Sequence, residues 1–139
     1  MQARASVLIN CPVETAFAFI ANTANDRAWR SHLASSHGHA TAVGDRITQT
    51  YSYQGKSKSV ELEVTEFEPP ERLGYTIHEP ARARMSFHCR PDGEGTRVSI
   101  TIAATLSGPA ALFEGRAQTE ADKLLKTDLN RLKQALEQA

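Results

Sequence analysis

The chain has 139 residues, and its sixteen basic side chains balance sixteen acidic ones. At 40% hydrophobic and 23% charged it fits one globular domain, residues 1–139, with no long-range field to draw it to nucleic acid or an anionic membrane. The longest apolar run, Ala16 to Ala21, is too short to span a bilayer, and Cys11 and Cys89 make neither a disulfide framework nor a metal spacing.

Residues Ala3 to Ile9 alternate, with Ala5, Val7 and Ile9 on one face, which predicts a first strand. Cys11-Pro12-Val13-Glu14 turns this strand into a helix, since proline is tolerated where no N–H is needed and Glu14 sits near the positive end. Val13, Ala16, Phe17 and Ile20 form its inner face. Asn22-Thr23 breaks the helix and caps a second one, predicted from Ala24 to about Leu33 and carrying Trp29. Ser35 to Ala40 is a weak strand, because Gly38 and the serines give it little to pack.

Val43 to Tyr53 is a stronger strand, with Val43, Asp45, Ile47, Gln49, Tyr51 and Tyr53 predicted on one face. Gln54-Gly55-Lys56 supplies turn chemistry for a hairpin into Lys58–Phe67, where Val60, Leu62 and Val64 point inward and Glu61, Glu63 and Thr65 outward. Pro69-Pro70 ends that strand. Leu73, Tyr75 and Ile77 then share a face, and Glu79-Pro80 marks a corner. Ala83, Met85, Phe87 and Cys89 alternate with Arg84, Ser86 and His88. Asp92-Gly93-Glu94-Gly95 makes another hairpin, into the ladder Val98, Ile100, Ile102, Ala104 and Leu106.

The last segment, Pro109 to Glu137, reads as one amphipathic helix opened by Ser107-Gly108-Pro109. Phe113, Ala117, Ala121, Leu125, Leu129, Leu132 and Leu136 fall three or four apart, and Leu112 and Leu124 widen the stripe. At 1.5 Å per residue the helix would run roughly 40 Å, and it needs a surface to lie against. The fold class is therefore α+β. A curved antiparallel sheet of six to seven strands closes around the C-terminal helix, whose stripe is expected to meet Val98, Ile100 and Ile102, with two short helices after the first strand.

This order, with its motifs, resembles the polyketide cyclase/dehydrase branch of the START and birch-pollen-allergen superfamily of helix-grip proteins. The resemblance is carried by Ile9-Asn10-Cys11-Pro12-Val13-Glu14 with Phe17, Phe19 and Ile20, and by Trp29 at the position of the family's tryptophan. Val43-Gly44-Asp45-Arg46, Val64 through Leu73, Gly95-Thr96-Arg97-Val98 and the last helix extend it over essentially the whole chain. It implies a sheet gripping the last helix with a cavity between them. Members bind lipids, quinones, hormones or polyketides, a minority catalyse cyclisation or dehydration, and others act as co-chaperones.

The inward faces are more polar and aromatic than a dry core needs. Tyrosine combines apolar area with a hydroxyl that must find a partner when buried, which suits an amphipathic ligand. The expected ligand-binding residues are Trp29, Gln49, Tyr51, Tyr53, Tyr75, Met85, Phe87 and Phe113, with Trp29 and Phe113 near the mouth. No catalytic residue is assigned. His78, His88 and Arg84 fall out of step with the apolar residues and belong outside the barrel. Asp45 is the one inward acidic candidate, with a turn role equally open. Cys11, at a helix N-terminus, is a candidate for a lowered pKa, but a lone Cys beside Pro12 with no histidine next to it is expected to be a small packed residue. The expected partner is a hydrophobic or amphipathic small molecule bound by a cytoplasmic monomer or homodimer, with no membrane insertion, nucleic acid or cofactor. The alternatives are a cyclase or dehydratase using pocket Tyr or His groups, and a co-chaperone or protein-binding module.

His32, His37 and His39 raise a zinc reading, but no Cys or acidic residue at ligand spacing joins them, and a solvated loop is expected. Protein dialysed without chelator is expected to carry no stoichiometric zinc by elemental analysis. A one-to-one content lost on changing His37 and His39 to alanine would overturn that expectation.

Overall fold

A computed structural model describes residues 2–78, 82–104 and 114–138. Strand β1 (Gln2–Ile9) leads into helix α1 (Val13–Ala21), which begins after Pro12 and buries Ala16, Phe17, Ile20 and Ala21. A 3-10 turn, Thr23–Ala28, follows. Then come β2 (Leu33–His37), β3 (Arg46–Tyr53), β4 (Lys56–Glu68), β5 (Arg72–Ile77), β6 (Ala83–Asp92) and β7 (Gly95–Ala104). The long helix α2 is described over Glu114–Glu137. The seven strands form one antiparallel sheet in the order β1-β7-β6-β5-β4-β3-β2.

Register explains the inner face. Across the strands, Ala3, Ile102, Met85, Tyr75 and Val64 form one row, and Ala5, Ile100, Phe87, Leu73 and Phe67 form the next. Strict alternation would have turned Phe67 outward after Val64. The register shifts between Val64 and Glu66, and this bulge brings Phe67 back inward opposite Leu73. There Phe67 meets Phe17 of α1 edge-on, with ring centroids 5.7 Å apart. The β3–β4 hairpin turns on Gln54 and Gly55 alone, with φ of 53° and 78° and Tyr53 paired directly to Lys56. Two positive φ values suit the twist of the flanking strands.

Several expectations need correction. The second short helix is a 3-10 turn ending at Ala28, with Trp29 as its C-cap, and Leu33 belongs to β2. Strand β3 starts at Arg46, so Val43 and Asp45 precede it, and Val43 is exposed. Leu124 is exposed as well, outside the buried stripe of Leu125, Leu129, Leu132 and Leu136. Ser107–Pro109, Leu106, Leu112, Phe113 and the Glu79-Pro80 corner lie outside the described residues.

The helix also sits differently from the expected stack on β7. Its backbone approaches β1 most closely. Asp122 Oδ1 accepts from the Arg4 N–H at 3.2 Å, Lys133 Nζ donates to the Leu8 carbonyl at 3.0 Å, and Glu137 Oε2 accepts from the Asn10 N–H at 2.9 Å. Since β1 ends the sheet on this side, these are outward-facing edge groups, and helix side chains satisfy them. Helix and strand run parallel: six residues of strand and fifteen of helix both rise roughly 20 Å, which keeps the contacts in step.

The leucine stripe still joins the same core cluster as Val98 and Ile100. Truncating a buried leucine removes transfer energy and leaves a cavity, so Leu129→Ala should lower stability by about 2–5 kcal/mol. Leu124→Ala should change it little. Equal urea midpoints for the two variants would contradict the packing.

Candidate functional site

The candidate site grows from the 3-10 turn. Asn22 starts it by accepting from the Ala24 N–H at 3.3 Å, and Asn25 donates from its side chain to the Phe19 carbonyl at 3.1 Å. The tight winding leaves Asp26 buried, 5% exposed, and caps the turn with a fully buried Trp29. Arg30 follows, its guanidinium 5.2 Å from the Trp29 ring centroid.

Three elements converge on these residues. From β3, Gln49 donates through Nε2 to Asp26 Oδ2 at 2.8 Å and to Ser36 Oγ at 3.2 Å, and its Oε1 accepts from the Tyr51 hydroxyl at 2.8 Å. From β6, Met85 Sδ accepts from Arg30 Nη1 at 3.4 Å. From α2, buried Asp128 lies 3.5 Å from Arg30 Nε through Oδ2, while its Oδ1 accepts from the Ser31 N–H at 3.0 Å and from the Ser31 hydroxyl. An aromatic chain closes the inner side: Trp29 meets Phe87 edge-on at 6.0 Å, and Phe87 meets Tyr75 at 6.3 Å.

Four buried polar atoms in this neighbourhood have no hydrogen-bond partner among the described residues: Asp26 Oδ1, Trp29 Nε1, Arg30 Nε and the Tyr75 hydroxyl. The Trp29 indole leans toward the Asp26 carboxylate and favours its charge, but does not reach hydrogen-bonding geometry. Burial pushes Asp26 up to about 6, against the pull of Arg30, Gln49 and Trp29. Burial also raises the Tyr75 and Tyr51 hydroxyls. Arg30 behaves oppositely. Burial disfavours its charge, but Tyr51, Asp26, Asp128 and Tyr75 outweigh that and hold its pKa above the ordinary value.

Of the predicted site residues, Trp29, Gln49, Tyr51, Tyr75, Met85 and Phe87 come together here. Tyr53 does not: it is 57% exposed beside the hairpin turn and packs on His32, ring centroids 4.5 Å apart. Phe113 lies outside the described residues. Asp45 faces away from the core, its carboxylate accepting from Thr41 and Ala42, and the Thr41 bonds hold its pKa below the ordinary value. Cys11 is packed in the core, and burial and then the Glu137 carboxylate raise its pKa. Cys89 is pushed up to about 12 by burial and then by Cys11.

His78 pairs with Glu63 at 3.1 Å on the outer face. His88 borders a polar outer groove of about 420 Å³ with Arg4, Arg72, Ser86 and Thr101, away from the cluster. Among the described residues, no three His, Cys, Asp or Glu side chains gather as a metal site.

Asp26, Arg30 and Asp128 escaped the sequence reading. Asp128 had a signal, because it falls three after Leu125 and four before Leu132, inside the apolar stripe.

A family described as polyketide cyclase / dehydrase and lipid transport matches residues 1–137. The chain belongs to that family. Solved structures of similar fold include a Thermus thermophilus protein, 20% identical, with TM-score 0.82, covering 98% of this chain and 97% of that one. A Staphylococcus aureus protein of unknown function is 8% identical, with TM-score 0.83 and coverage of 99% and 94%. A Mesorhizobium loti protein is 21% identical, with TM-score 0.78 and coverage of 100% and 98%. At these identities the likeness is one of fold, the helix-grip arrangement. No protein of curated function matches the chain significantly. The family suggests ligand binding, and among the described residues no helix is long and apolar enough to cross a membrane.

The raised Asp26 pKa makes a signed prediction. Above about pH 6 the carboxylate is ionised whether folded or unfolded, and burying the charge costs up to about 3 kcal/mol. As pH falls from about 6 toward 3.8, the folded state takes up the proton first and stability recovers. Asp45 and Glu137, both lowered, act in the opposite sense only below their ordinary values. Wild type should therefore gain stability relative to Asp26→Asn between about pH 7.5 and 5. Parallel stability curves would refute the assignment.

Proposed function

We propose that the chain binds a hydrophobic or amphipathic small molecule, lipid-, quinone- or polyketide-like, in a cavity between the sheet and α2. The polar end of the ligand lies at Asp26, Arg30 and Tyr75, and Trp29, Met85 and Phe87 provide apolar contact. The observation that carries this reading is the set of polar atoms left unpartnered among the described residues, set within the apolar core cluster. A buried group without a partner costs about 1–3 kcal/mol, so four in one neighbourhood favour a ligand that supplies their partners. Family membership supports the same class of function.

A second reading, a cyclase or dehydratase, is favoured by one observation: a buried carboxyl titrating at about 6 suits a proton acceptor at neutral pH, and the Tyr75 hydroxyl stands nearby. The outer sheet face gives a protein-binding role less support. Arg46 pairs there with Glu61 at 2.7 Å and Glu63 at 3.6 Å, so charged groups occupy this part of the face where a docking patch would be apolar.

Native mass spectrometry of freshly purified protein should reveal a retained small molecule, or, after stripping, binding of at least one lipid, quinone or aromatic polyketide. Trp29 is the sole tryptophan, so its fluorescence reports the site directly. Absence of any retained mass, with no fluorescence response across those classes, would overturn the proposal.

A further inference from the structure

The hydrogen-bonding capacity left over in the cluster points to the polar group of the ligand. Asp128 is committed, with Oδ1 accepting from Ser31 twice and Oδ2 paired with Arg30. Gln49 is committed too, since Nε2 serves Asp26 and Ser36 while Oε1 takes the Tyr51 proton. With Arg30 Nε held in an ion pair 3.5 Å from Asp128 Oδ2, what remains among the described residues is one charged acceptor, Asp26 Oδ1, beside two neutral groups, the Trp29 N–H and the Tyr75 hydroxyl. The charge count matters as much. Among the described residues two buried carboxylates share one guanidinium, and Arg131 is exposed and donates to Ser31 Oγ at 3.4 Å.

A ligand carboxylate would add a third negative charge and set its lone pairs against those of Asp26. An ammonium would satisfy Asp26 and donate to the Tyr75 oxygen, but it has no lone pair for the Trp29 N–H. A neutral hydroxyl does both, giving its proton to Asp26 Oδ1 while accepting from Trp29 or Tyr75. Building on the ligand-binding reading above, we propose that this site selects ligands whose buried end is an uncharged phenolic or alcoholic hydroxyl and discriminates against free carboxylates such as fatty acids.

The test is isothermal titration calorimetry on the full chain at about pH 7.5, where Asp26 is ionised, with three probes sharing one ring system: 2-naphthol, 2-naphthoate and 2-methylnaphthalene. A hydrogen bond to a buried carboxylate should make 2-naphthol bind about tenfold tighter than either competitor. Asp26→Asn should erase most of that advantage and leave 2-methylnaphthalene unchanged. Tyr75→Phe, which removes one oxygen, should also weaken 2-naphthol selectively, and it carries the test if the Asp26 variant fails to fold. Binding of 2-methylnaphthalene with no gain for 2-naphthol, or 2-naphthoate binding as tightly as 2-naphthol, would overturn hydroxyl selection while leaving a small-molecule binder. Binding of none of the three would remove the pocket and this inference together.

Discussion

The structure turns on Asp128, a carboxylate of the long helix that is only 2% exposed. Left alone, a buried charge of this kind would cost several kcal/mol. It is satisfied because the segment after the 3-10 turn comes to meet it, with the Ser31 N–H and hydroxyl on one oxygen and Arg30 beside the other. That demand fixes where the segment lies, and with it the side chains of Asp26, Trp29 and Arg30. The joint is thus both a structural anchor and the reason a guanidinium sits inside the protein. Arg30 then serves a second carboxylate, Asp26, which it compensates only in part.

Family membership assigns the architecture and a ligand-binding tendency, while the chemistry rests on a handful of side chains mounted on it. The two faces of the sheet divide the work. Outside, Arg46, Glu61, Glu63 and His78 form solvent-facing ion pairs of modest energetic weight. Inside, aromatic edges enclose polar atoms in a medium where each hydrogen bond made or missed counts for more. Side chains of equal polarity therefore have very different consequences on the two faces.

The strands, their turns and most of the core could be read from the residues, because alternation and hairpin chemistry are local signals. The hairpin at Gln54-Gly55 and the inward set Leu62, Val64, Leu73, Tyr75, Met85 and Phe87 came from that pattern, although Lys56, expected in the turn, already belongs to β4. Half of the candidate site did not. Asp26 and Arg30 belong to a polar stretch whose burial depends on Gln49 and Asp128, 23 and 98 residues further along the chain, respectively. No local periodicity announces such a pairing. Tyr53 departs from its expected inward place for the opposite reason: its parity in the strand is right, but it lies beside the hairpin turn and is exposed. The placement of α2 on β1 was also hidden, since an apolar stripe says that a helix is buried but not which strand lies under it.

The side chains that hold α2 along β1 have a further consequence for how the sheet meets other copies of itself. An uncovered edge strand is a template on which another chain can add, and Asp122, Lys133 and Glu137 occupy that template at Arg4, Leu8 and Asn10. The opposite edge, β2, is only five residues long and slips in register between Leu33 and Ser35, a poor surface for such growth. The final turn of the helix therefore acts as a guard against self-association. Trimming the chain before Lys133 would do more than loosen the fold, for it would open a strand edge to intermolecular pairing and favour aggregation.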